Sequence, residues 1–194
     1  IQIVVNSFDA SMVVANSAAS NSDPLVYNIM SAFYVACSTF IGQNYGAEKK
    51  SRVLKSYFIS LACSFCFALF LGILLFIFGR NFISIFISDS AIIELGMRRL
   101  SIMAFSYCIS AFMDCTIAAS RGLGQTSVPT VIVILGSCVF RIAWIFSVFA
   151  YFKTIESLYL LFAFSWTITA VAEIFYFARL YKQKFSLSAL KAQQ

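Results

Sequence analysis

The sequence predicts an all-α, polytopic membrane protein with about five spanning helices. Three observations carry this reading. Hydrophobic residues fill 61% of the 194 positions and charged residues 11%, where a soluble domain carries roughly 25% charged residues. The apolar residues gather in runs of 17–25, the length a helix needs to cross a hydrocarbon core of roughly 30 Å. The basic residues behind the net charge of +6 fall mostly between those runs. With 22 Phe and a mean hydropathy of +0.88, the chain has more apolar surface than a soluble core of this size could hide.

The elements follow in order. Residues 1–8 read as the stub of a preceding helix. The chain has no starting Met and no charged leader region, so it is expected to be a fragment. Residues 10–46 read as one long, kinked helix: small and weakly polar residues over 11–22, then the apolar run Leu25–Ile41. Asp23-Pro24 divides the two parts, Asp suiting an N-cap and Pro a first helical turn. The competing reading of this segment is an external loop that leads into a short helix.

Four further spans are expected at 51–79, 89–121, 127–152 and 157–181, built on the runs Tyr57–Phe78, Leu100–Ser120, Val128–Phe152 and Leu158–Ala178. Asp89-Ser90 offers an N-cap for the span at 89–121. Residues 182–194 form a basic tail, expected on the inner membrane surface or disordered. His is absent, which removes the commonest metal ligand and general base. The six Cys lie inside apolar segments, and Cys63 and Cys66 spell C-x-x-C. A redox motif wants a βαβ setting and a zinc site a second ligand pair, so these read as small buried residues of a membrane helix.

Lys and Arg set the orientation. Nine lie on the side of residues 42–55, 121–126 and the tail, and four (Arg80, Arg98, Arg99, Lys153) on the other. The richer side is expected in the cytoplasm, with the C-terminal tail. The same charges do not form a nucleic-acid face.

Ionisable residues inside spans cost about 2.5–3.5 kcal/mol each at a helix centre, and they face protein or water. Four stand in or near spans: Asp23, Asp114, Arg141 and Glu173. A rise of about 1.5 Å per residue puts Asp114 and Glu173 level, roughly 10 Å from one end of the bundle, with Arg141 a turn or two above. Two readings compete. In the first, Asp114, with Glu173 second, binds a coupling cation, a proton or a cationic substrate. In the second, one of the two acids neutralises Arg141 and locks two helices together. Arg141 reads as a charge partner or gate, and Asp23 as a helix cap.

Two segments resemble a known family. The first is AFYVACSTFIGQNYGAEKKSRV, with Thr39, Gly42, Gln43, Asn44, Gly46 and Ala47. The second is MDCTIAASRGLGQTSVP, with Arg121, Gly122, Gly124, Ser127 and Pro129, followed by CVFRIAWI. Both resemble multidrug-and-toxin-extrusion (MATE) transporters, over about residues 2–182. The glycines read as left-handed C-caps at helix ends and as points where helices come together.

The resemblance implies one C-terminal lobe of a two-lobe transporter, its N-terminal lobe absent from this chain. It implies export of cationic or amphipathic drugs or metabolites by alternating access, coupled to Na⁺ or H⁺ held near Asp114. Small-molecule substrate and membrane lipid are the other expected partners, in the cell membrane. No catalytic residue, resident metal or cofactor is expected. Two alternatives stay open: a lipid-linked sugar flippase of the same superfamily, and a structural membrane subunit that transports nothing.

Overall fold

The computed structural model describes residue 5 and residues 8–191, with side chains through residue 186. The expected stub at 1–8 lies outside the described residues apart from Val5 and Phe8, and the last three residues of the expected tail lie outside them too. Six helices follow: α1 (Ala10–Ser20), α2 (Ser22–Gly46), α3 (Lys50–Ser84), α4 (Ser90–Gly122), α5 (Ser127–Phe152) and α6 (Ile155–Lys191). No strand occurs among the described residues. With α1 and α2 taken as one, five helices are long and apolar enough to cross a membrane.

Local chemistry explains where each helix begins and ends. Asp9 stands at the start of α1, its carboxylate accepting from the Ala10 N–H. The break at Asn21 follows from Pro24, which lacks the N–H that would bond the Ser20 carbonyl and whose ring crowds that carbonyl. The break is slight, because Asn21 keeps helical angles. Asp89 caps α4, accepting from the Ala91 N–H at 2.8 Å. The α2–α3 turn is closed by Glu48, with φ +59°, and α5 ends at Lys153, with φ +51°. The segment from 182 continues α6 as helix to Lys191 and is not a separate element. No Gly or Pro interrupts it, and its Lys, Gln, Leu and Ala are good helix formers.

α4 is the centre of the bundle and packs on α1, α2, α3 and α6. Small residues let it do so. A Cβ added at Gly72 on α3 would strike the Ala104 carbonyl of α4. The core between them holds Met30, Tyr34, Cys37, Tyr57, Met103 and Cys115. Tyr57 bonds Thr116 at 2.9 Å inside it. α5 lies at the edge, chiefly on α6, and contains two π-helical stretches, Ile134–Val139 and Ile145–Phe149. Cys63 and Cys66 are free and, contrary to the buried placement expected from sequence, face outward on α3, whose outer face packs on no other helix there among the described residues.

Candidate functional site

Asp114 is half-buried near the end of α4, where the small residues Ala111, Cys115 and Ala118 let neighbouring helices close in. Its side chain lines two cavities, each of about 470 Å³, and so does Tyr27. The first cavity lies between α2, α4 and the start of α5. Its polar lining comes from Ser31, Ser38, Thr39, Thr130 and Arg121. The second runs toward the opposite end of the bundle and is walled by Met30, Met103, Met113, Phe162 and Trp166. Asp114 makes no ion pair and no hydrogen bond among the described residues; the ion pairs there are Arg80–Glu94, Arg98–Glu156 and Arg99–Asp23. A carboxylate with hydroxyls on one side and thioethers and rings on the other can hold a proton, a hard cation or an organic cation.

A second acid closes the far end of the greasy cavity. Asp23 accepts from Arg99 Nη2 at 2.5 Å and from the Tyr107 hydroxyl at 2.5 Å. Ser22 Oγ lies 3.3 Å from the same phenol. Asp23 is therefore not a helix cap. Asn21 stays helical, the backbone needs no side-chain acceptor there, and the carboxylate reaches across to α4. Arg99, counted among the loop charges by sequence, is buried with 5% of its side chain exposed. The only signal for it in the sequence is its place at the edge of the run starting at Leu100.

Arg141 meets neither acid. Its Nε donates to Ser165 Oγ at 3.1 Å, and its guanidinium lies 4.6 Å from the centre of the Phe162 ring. Matching depth along the membrane did not mean matching faces: Arg141 turns toward α6. Glu173 is completely buried on α6, and neither carboxylate oxygen has a partner among the described residues. It does not line either Asp114 cavity.

The two glycine motifs meet. A Cβ on Gly42 would lie 3.5 Å from the Gly122 carbonyl, and one on Gly122 would lie 2.7 Å from the Ser38 carbonyl. Among these glycines only Gly124, with φ +77°, takes the left-handed conformation expected of a C-cap. Gly42 and Gly46 lie within α2, and Gly122 is the last residue of α4. Close approach, not capping, is what Gly122 serves. Asn44 Nδ2 bonds the Phe40 carbonyl at 2.8 Å within its own helix, and Gln43 and Arg121 are exposed.

Comparison with known proteins bears on this arrangement. A family model described as MatE matches residues 1–146, a stretch that takes in Asp114 and both glycine motifs but not Glu173. A probable multidrug resistance protein NorM of Photorhabdus laumondii is 24% identical over 123 residues, covering 63% of this chain and 26% of the relative. One from Thermotoga maritima is 30% identical over 119 residues, covering 61% and 26%. The chain thus spans about a quarter of the length of these relatives. The Vibrio cholerae MATE transporter VcmN, in its bent form, superposes with a TM-score of 0.83 at 17% identity, over 94% of this chain and 41% of that one. An inward-facing multidrug resistance MATE transporter superposes with a TM-score of 0.70 at 13% identity, over 90% and 44%. With the model matched over most of its length and the fold shared, the chain belongs to the MATE family, whose members are membrane transporters and not enzymes.

Proposed function

We propose that this chain is the C-terminal lobe of a secondary active antiporter. It exports cationic or amphipathic drugs or metabolites by alternating access, driven by Na⁺ or H⁺, with Asp114 as the coupling residue. The observation that carries the reading is that Asp114, unpaired among the described residues, lines both a hydroxyl-lined cavity and an apolar one. The polar side offers oxygen donors to a hard cation or a proton. The apolar side offers thioethers and aromatic faces to an organic cation. Two cations that need the same carboxylate exclude each other, and that exclusion is the coupling an antiporter requires. A lipid-linked sugar flippase would want a cationic cleft, whereas the lining here carries Asp114, Asp23 and one base, Arg121.

The lobe works against an N-terminal lobe, in the cell membrane, with the glycine-motif end and the C-terminus in the cytoplasm. The charge count of nine against four supports that orientation.

The test uses the whole transporter reconstituted in vesicles. Asp114→Asn should abolish gradient-driven substrate export while leaving insertion and folding intact. Applying a Na⁺ gradient and a pH gradient separately identifies the coupling ion. Export by Asp114→Asn at the wild-type rate would remove Asp114 from the mechanism.

A further inference from the structure

Away from the Asp114 cavities, a polar seam runs between α5 and α6. Ser165, Thr169 and Glu173 lie at four-residue steps on α6, one above another on a single face, and all three are completely buried. At the upper end Arg141 Nε donates to Ser165 Oγ, and Ser165 Oγ donates to the Gly136 carbonyl at 2.9 Å. Thr169 Oγ1 donates to the Ser165 carbonyl at 2.8 Å. Glu173 ends the line, roughly 12 Å below Ser165.

The seam depends on α5 being irregular. Gly136 lies in the π-helical stretch Ile134–Val139, and its carbonyl is free to accept from Ser165. A Cβ at Gly136 would collide with Thr169. Single π turns inside α-helices recur at functional sites, because the widened turn is a local alternative to the regular helix.

Glu173, like Asp114, has no ion-pair or hydrogen-bond partner among the described residues, and unlike Asp114 it is completely buried. Both oxygens are buried and unpartnered. Arg121 of α4 is the charge that acts on it. The one charge on α5, Arg141, lies at the far end of the seam, and the Tyr57 ring of α3 packs against Phe177, one turn along α6 from Glu173. Tyr176 is its titratable neighbour on α6. An unpaired carboxylate ion is too costly in such a place, while a neutral acid is tolerable. Ser120 of α4 and Ser137 of α5 also carry buried hydroxyls without partners. The helices on both sides of α6 therefore hold polar groups that a regular, closed packing leaves unused.

We infer that Glu173 is a proton-binding site separate from Asp114, occupied by a proton in this conformation and emptied to water when the π-helical stretch of α5 shifts on α6. The proton leaves as the acid O–H ionises and water enters to solvate the carboxylate; no other bond changes. The site does not depend on Asp114 being the coupling residue, and its first test needs no transport.

The experiment is infrared spectroscopy of the purified full-length transporter over a pH series, followed by transport. A C=O stretch of a neutral carboxylic acid should be present at neutral pH and fade as pH rises. It should be absent from Glu173→Gln and retained in Asp114→Asn. In transport, Glu173→Gln should fold, because the amide mimics the neutral acid, but its rate should lose the wild-type dependence on pH. If Glu173→Gln keeps the band, or keeps the wild-type pH profile, the site is not there. Should Glu173→Gln fail to fold, Glu173→Asp keeps the acid on a shorter arm and should move the band and its midpoint; an unmoved band overturns the inference.

Discussion

α4 and α5 are both apolar spans with few internal charges, Arg99 and Asp114 on α4 and Arg141 on α5, yet they hold opposite positions. α4 is buried on nearly every side, through Met103, Ala104, Tyr107, Cys108, Ala111 and onward to Ser120. α5 buries only Pro129 and Gly136, and its Val131, Ile134, Val139, Ile142 and Phe146 point outward. Low hydropathy does not mark the exposed helix, since α5 is the more apolar of the two and lipid tails are as apolar as a protein core. Residue size and hydroxyl content do. The central helix alternates Ala, Ser, Cys and Thr, which let four neighbours approach. The peripheral one is Val, Ile and Phe, interrupted at the single glycine where α6 presses in. The same contrast governs the charges: Asp114 on α4 faces cavities that other helices complete, whereas Arg141 on α5 has only α6 to turn to.

The contrast is broken most severely at the ion pair that α4 makes with α2. Asp23→Ala would leave Arg99 buried beside an empty space, with Nη1 already lacking a partner. Removing one member of a buried pair costs about 3–5 kcal/mol. Arg99→Met should cost less, because 36% of the Asp23 side chain is exposed and its carboxylate borders the cavity. Thermal melting of the two single variants and of the double variant checks this. A double variant more stable than Asp23→Ala alone is the expected result. Equal losses from the two single variants would mean that Arg99 is not the buried partner.

The glycines give a smaller effect and a sharper one. Gly122→Ala sets a methyl 2.7 Å from a backbone carbonyl and 2.8 Å from Ile41, and overpacking of that kind costs about 1–3 kcal/mol. Gly46→Ala has nothing within 4 Å and should be neutral. The two melting temperatures measured together separate close approach from helix capping. A loss at Gly46 equal to that at Gly122 would restore the capping account of both motifs.

Much of this was legible in the sequence. Run length and charge placement gave the spans, Asp89 gave a cap, and the lone carboxylate in Leu100–Ser120, Asp114, lines both cavities. What was not legible shares one cause: a sequence gives height along a helix from the 1.5 Å rise, but not which face meets which neighbour. Arg141 was placed at a height from which it could reach Asp114, and it faces Ser165 instead. Arg99 stood at the margin of a run and counted as a loop charge, though Asp23 of α2 reaches across to it. Asp23 preceded a proline, and that pattern suits a cap as well as it suits a cross-helix ion pair. The π-helical stretches have no residue signature, since they arise from how α5 fits α6.

The mildest perturbation tests the peripheral half of the contrast. Phe146 is 80% exposed on α5 and Ile142 57%. Phe146→Leu removes little packing inside this lobe, and surface changes away from special features stay within about 0.5 kcal/mol. Lipid should accommodate either side chain, so melting temperature and export should both match wild type. Phe146 differs in this from Gly136, which is on the same helix but turned inward against Thr169. A loss at Phe146 well beyond that range would show that the outer face of α5 is covered in the whole transporter. The ring would then be packed against protein, and α5 would be as interior as α4.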